Sequence, residues 1–235
     1  MLDTQTWIVF ISSALALAFA PGPGILYVLS RTISGGRSAG IASTVGSAGG
    51  GMLHVFAAAI GVSALLATSA IAFSIVKYLG AAFLIYLGIT MIISARNAKQ
   101  SDMAETEAEL KSEQKNQKKK KKKEEFKSLF YQGMISEVLN PKTAVFFLAF
   151  IPQFVTPETG NVFNQFLILG TIVVILNTLP DFLISFFSKH IERLWQTSLR
   201  FRKVQQATSG ACLIGLGAYL ALSGTDNHLA EKGIS

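Results

Sequence analysis

Five ionisable side chains interrupt the apolar stretches of this 235-residue chain: His54, Lys77, Glu137, Lys142 and Asp181. Inserting a charge at the centre of a membrane helix costs roughly 2.5–3.5 kcal/mol on translocon scales, so such groups mark substrate or proton pathways by default. Lys142 follows Asn140-Pro141. It can bind a carboxylate or exchange a proton. Glu137 lies one turn earlier and either forms a structural pair with Lys142 or works in its own right. Asp181 follows Pro180 and can carry a proton or hold an amine. His54 is a third candidate for proton coupling, with a packing histidine as the alternative. Lys77 stands near the outer end of its segment, where it can snorkel to the interface.

Two proline breaks lie among these residues. Ala20-Pro21-Gly22-Pro23-Gly24 interrupts the first apolar segment, and Asn140-Pro141-Lys142 interrupts the fourth. Both breaks come roughly 20 Å from the entry face at a helical rise of 1.5 Å per residue. Proline removes a backbone donor and clashes with the preceding turn. At that depth the freed groups must face protein or a water-lined cavity. A helix that restarts after the break presents N–H groups and the positive end of its dipole, which suits a carboxylate ligand. Asn140-Pro141 reads as an N-cap followed by proline at the first helical position. Pro21, Gly22, Pro23, Gly24, Asn140, Pro141 and Lys142 are therefore the candidate binding or translocation residues, with Asp181, His54 and Glu137 as proton-coupling candidates. The alternative is a pair of packing kinks.

The elements that carry these residues are membrane helices. Half of the residues are hydrophobic, the mean hydropathy is +0.44 and charged residues are only 15%, against roughly 25% in soluble domains. A span needs about 20 apolar residues. Six segments qualify: 6–30, 40–66, 72–94, 129–155, 162–187 and 204–223. The start, MLDTQT, lacks the basic region of a cleavable signal peptide. Of the 21 Lys and Arg residues, 18 fall after segments one, three and five. The positive-inside rule makes those loops cytoplasmic and puts both termini outside. The expected fold is an all-α membrane protein of six transmembrane helices, arranged as two inverted three-helix repeats with broken first helices. Residues 1–95 form the first repeat, 96–127 a basic cytoplasmic linker, 128–224 the second repeat and 225–235 a polar tail. The linker, with its run from Lys118 to Lys123, reads as a solvated joint that anionic headgroups can also attract.

Several function classes drop out. The single Cys212 excludes an intramolecular disulfide and a paired-cysteine relay. No nucleophile stands beside a base, so an enzyme is not expected, and neither is a cofactor or a resident metal. The net charge of +7 is a topology signal, with no aromatic interleaving for nucleic acid. The expected partners are the lipid bilayer, protons and a small substrate. Gly46-x-x-x-Gly50 lets helix backbones approach closely, within one chain or in a homo-oligomer. A metal or cation efflux transporter of related layout is the second reading, though it would want several Asp, Glu, His or Cys ligands in the spans.

Four stretches resemble the LysE/RhtB family of bacterial amino-acid exporters: APGPGILYVLSRTISGGRSAGIASTVG, IGVSALLATSAIAFSIVKYLGAAFLIYLGITMI, LNPKTAVFFLAFIPQFV and SGACLIGLGAYLAL. Together they span nearly the whole chain apart from the lysine-rich loop. The resemblance implies a secondary transporter of the bacterial inner membrane that exports amino acids by proton antiport. It also implies that Pro21, Gly22, Pro23, Asn140, Pro141 and Lys142 lie on the substrate path. One position departs: where many relatives place an acidic residue three before the span-two histidine, this chain has Gly51 ahead of His54. The missing carboxylate must then come from elsewhere, with Asp181 as the candidate.

Overall fold

The structure, a computed structural model, describes residues 3–19, 23–98, 122–156, 160–187 and 199–222. These form helices, with no strand among the described residues. In chain order they are α1 (Thr4–Phe19), α2 (Pro23–Thr68), α3 (Ala70–Asn97), α4 (Lys122–Val138), α5 (Pro141–Val145), α6 (Val162–Phe186) and α7 (Leu199–Leu222). α5 runs on through a π-helical turn, Phe146–Phe150, and a 3₁₀ turn, Ile151–Phe154. Side chains cap several starts: Asp3 accepts from the Thr6 N–H at 2.7 Å, Ser69 from Ala72 at 3.1 Å and Asn161 from Asn164 at 3.1 Å. Most of the lysine-rich linker, including Lys118 to Lys121, and all of the C-terminal tail lie outside the described residues.

The connection between the first two apolar segments, residues 31–39, narrows to a break at one residue. Gly36 has φ 76° and ψ −172°, a conformation in which a Cβ is strained. Helix continues on both sides, so α2 is two arms. Gly40 touches the Thr32 hydroxyl. In a straight helix these residues would stand about 12 Å apart, so the arms fold back on each other as a hairpin.

The second arm of α2 packs against α4 and α6, and α3 packs against α7. Glycines allow each approach. Gly46 touches the Phe130 backbone, and a Cβ on Gly50 would lie 2.6 Å from the Met134 carbonyl oxygen. The Gly46/Gly50 pair therefore serves packing within this chain. At the α3–α7 crossing a Cβ on Gly88 would lie 2.5 Å from the Gly210 oxygen and 2.6 Å from Ile214. A Cβ on Gly210 would lie 2.6 Å from the Gly88 oxygen and 2.8 Å from Ile92. The α2–α6 contact has the same reciprocity: a Cβ on Gly51 would lie 3.1 Å from Val174 and one on Gly170 2.8 Å from Val55. Because backbone, which cannot yield, lies opposite Gly88, Gly88→Val should prevent α3 from seating on α7. A sharp loss of the monodisperse detergent-extracted peak is expected in size-exclusion chromatography; a wild-type profile would contradict this packing.

The outer surface is apolar: Ile71 is 77% exposed and Leu79 66%. Within Tyr27–Leu65 the second arm of α2, together with Ile71–Asn97 and Val162–Phe186, is long and apolar enough to cross a bilayer. Phe126–Val138 and Pro141–Phe154, bent by 51°, qualify together as a fourth span. α1 is shorter, and α7 opens on polar residues, among them Lys203, Gln205 and Gln206, which lowers its hydropathy. Long apolar helices with apolar outward faces are solvated by lipid. The chain is an all-α, multi-pass membrane protein.

The interior is divided by chemistry. On one side of the breaks lies a phenylalanine column: Phe146–Phe150, Phe150–Phe154 and Phe154–Phe10 have centroids 4.6, 4.7 and 5.1 Å apart. On the other side, toward Gly36, the buried residues include Thr32, Ser43, Thr44, Ser47 and Ser185. Lys77 departs from the snorkelling expectation. It is buried, with Nζ 5.6 Å from the Tyr78 ring centroid. It lies one turn before Gly80, which packs directly on Ala149, so its face of α3 turns toward protein.

Candidate functional site

The last carbonyls of a helix have no helical donors. At the end of α1, the Lys142 ammonium donates to the Leu17 carbonyl at 3.1 Å and the Ser209 hydroxyl to the Phe19 carbonyl at 3.4 Å. At the end of α4, His54 Nε2 meets the Glu137 carbonyl at 2.9 Å. The acceptor is a carbonyl, so Nε2 carries the hydrogen. The imidazole also stacks on Phe147, 6.1 Å away and tilted by 9°. Each broken segment is thus finished by a basic side chain from elsewhere in the fold, a favourable placement at the negative end of a helix dipole.

The restarts are organised around Glu137. Asn140 is the N-cap that Asn-Pro predicts, its Oδ1 accepting from the Lys142 N–H at 3.2 Å with Pro141 in the first turn. Glu137 Oε1 accepts from the Thr143 hydroxyl at 2.7 Å and Oε2 from Asn140 Nδ2 at 3.2 Å. Gly24, at the start of α2, comes so close that a Cβ there would lie 2.9 Å from Glu137 Oε2. The carboxylate therefore stands where both restarted segments begin, an anion at the positive dipole ends. Glu137 bonds Thr143 and Asn140, and the Lys142 ammonium reaches Leu17, with both side chains on one cavity.

Between the breaks is a cavity of about 40 Å³ lined by Ala18, Gly24, Ile25, Ser47, Ala48, Gly51, Glu137, Asn140, Lys142, Thr143, Phe147, Val174, Asn177, Thr178 and Asp181. Such a space seats about three waters; an amino acid requires the walls to part. Asp181 is only 6% exposed. Among the described residues its Oδ1 has no hydrogen-bond partner. A buried carboxylate oxygen left so is costly unless a proton, a cation or water meets it.

The structure thus brings Gly24, Glu137, Asn140, Lys142 and Asp181 to one cavity. Pro23 is the first residue of α2, and Pro141 has an exposed side chain while it shapes the restart. His54 lies against α4, off the cavity wall. Pro21 and Gly22 lie outside the described residues. Sequence reading missed Ser47, Thr143, Asn177 and Thr178. Spacing held a signal: Asn177 and Asp181, like Ser47 and Gly51, are four apart and share a helix face.

A lipid-facing bundle whose two broken helices enclose a small polar cavity is the architecture of a membrane transporter. The chain belongs to the LysE type translocator family, whose model matches residues 15–224. It is 32% identical to an uncharacterized membrane protein, YrhP, of Bacillus subtilis (strain 168), over 91% of this chain and 97% of the relative. An uncharacterized membrane protein of Vibrio cholerae serotype O1 is 29% identical over 77% of this chain and 80% of its own length. A leucine efflux protein of Enterobacter sp. (strain 638) is 26% identical over 90% and 93%. No solved structure matches.

Proposed function

We propose that the protein exports an aliphatic amino acid, with leucine the first candidate, from the bacterial cytoplasm in exchange for protons, at the cavity between the helix breaks. The observation that carries this reading is the Asp181 oxygen on the cavity wall that has no partner among the described residues. One carboxylate that binds either a proton or a substrate ammonium, never both, gives exchange of one for the other. Ala18, Ile25, Ala48, Phe147 and Val174 offer an apolar wall for an aliphatic side chain. The Enterobacter relative's leucine efflux supports the substrate class.

The proposed frame is two inverted three-helix repeats, residues 1–95 and 128–224, joined by the basic linker on the cytoplasmic side, with both termini outside. Reciprocal contacts support it. Gly88 is as far from Gly210 in sequence as Ile92 is from Ile214. Gly51 is as far from Gly170 as Val55 is from Val174, and the two shifts are nearly the same. Such mutual pairing is what a two-fold relation produces. Rocking of one repeat against the other would open the cavity to each side in turn. Cation efflux fits less well, because Lys142 puts a positive charge on the cavity wall.

The test is expression in bacteria challenged with a panel of toxic amino acids and dipeptides. Resistance to the aliphatic set, with the amino acid appearing in the medium, is expected. Protection against a metal ion, with none against amino acids, would replace this reading by the second.

A further inference from the structure

Toward the Gly36 turn, hydroxyl groups continue from the cavity into the closed part of the molecule. Ser185 is one helical turn beyond Asp181, and its hydroxyl donates to the Asp181 backbone carbonyl at 2.9 Å. Thr44 and Ser185 oxygens are 3.3 Å apart across the α2–α6 interface. Because Ser185 gives its hydrogen to the Asp181 backbone carbonyl, Thr44 gives its own to Ser185. Thr32 also arrives here, since Gly40 touches its hydroxyl, and a Cβ on Gly40 would lie 2.6 Å from the Ser185 oxygen. On the neighbouring face of α2, the cavity-lining Ser47 is followed one turn away by Ser43. Ser43 is fully buried, and among the described residues its hydroxyl has no partner.

Thr32, Ser43, Thr44 and Ser185 are each at most 1% exposed. Two orphaned buried oxygens, Asp181 Oδ1 and Ser43 Oγ, bracket this region, and buried oxygens of that kind recruit water. Yet the packing around Gly40 is too tight for a Cβ, and hence for an amino acid.

Resting on the antiport reading above, we infer that these hydroxyls, with waters held between them, conduct protons between Asp181 and the cytoplasmic end of the protein on a route the substrate does not share. In the step itself, protonated Asp181 gives its proton to a water between its carboxyl group and the hydroxyls, each member takes up one proton and passes one onward, and Asp181 is left as the carboxylate that accepts the substrate ammonium. The charged groups around Asp181 are Glu137 and Lys142 across the cavity; α2 contributes Ser47 and Gly51. At the far end, the Arg37 guanidinium lies 3.7 Å from the Phe186 ring centroid. Hydroxyls of this kind also tie helices together, and the test must separate the two roles.

Purified protein is placed in liposomes with labelled leucine as the probe. Leucine transport driven by an imposed proton gradient is compared with leucine/leucine counterflow, which moves no net proton. The double variant Thr44→Val, Ser185→Ala should drop to the background of empty liposomes in the first assay and stay near wild type in the second. Thr44→Ser with Ser185→Thr, which keeps both hydroxyls, should retain both activities. Gradient-driven transport at the wild-type rate in the hydroxyl-free variant overturns the route. So does an equal loss of counterflow, or a hydroxyl-retaining variant as defective as the hydroxyl-free one. Wild-type leucine transport that is absent or ignores the gradient overturns the antiport reading beneath it instead.

Discussion

Asp181→Asn is expected to abolish leucine transport in both the gradient-driven and the counterflow assay, while the protein inserts and purifies normally. The substitution keeps the shape of the side chain and removes its charge and its titration. Asp181 is the cavity-lining carboxylate with an oxygen left unpartnered by the described residues; Glu137, by contrast, is held by Thr143 and Asn140. A hydrogen bond to a charged group contributes about 1.5–3 kcal/mol, so losing the carboxylate should weaken substrate binding by roughly ten- to a hundredfold. Loss of counterflow distinguishes this variant from the hydroxyl-free double variant, which should fail only under a proton gradient. Leucine counterflow at the wild-type rate in Asp181→Asn would falsify the assignment of the substrate amine to this residue.

Lys142→Met should also be inactive, for a different combination of reasons. The methionine keeps most of the apolar stem. It removes the donor to the Leu17 carbonyl and, among the described residues, the one cationic side chain on the cavity wall. The uncapped carbonyl costs about 1–3 kcal/mol, and the cavity is left with the carboxylates of Glu137 and Asp181 and no lysine opposite them. A lower unfolding temperature in detergent is therefore expected together with loss of efflux. Ser209→Ala isolates the first effect, since it deletes the neighbouring cap on Phe19 without touching the charge. It should lower stability modestly and still transport. If Lys142→Met transports as well as Ser209→Ala does, the lysine is a cap and nothing more.

Much of this was legible in the residues because the bilayer imposes simple rules. Apolar segment length gave the helical class, and Asn140-Pro141 gave the restart with its cap. Asp181 and Lys142 stood out because charge in an apolar segment has few explanations. What escaped depended on through-space geometry. The destination of Lys142, a carbonyl on α1, is set by how the two broken segments cross. In sequence His54 stays open between proton coupling and packing, because its partner, the Glu137 carbonyl, is a backbone group that no motif advertises. Asn177 and Thr178 are ordinary residues until helix packing turns them toward Asp181. Lys77 looked like an interfacial lysine because sequence shows depth along a helix more clearly than which face meets protein.

The crossed caps have a consequence for how the protein is made. During synthesis α1 enters the membrane long before Lys142 and Ser209 exist, and its terminal carbonyls must wait for them. α4, by contrast, emerges when His54 is already in place. The nascent amino-terminal half is thus an incomplete object that the later half finishes. The two halves supplied as separate polypeptides should be degraded singly and survive together.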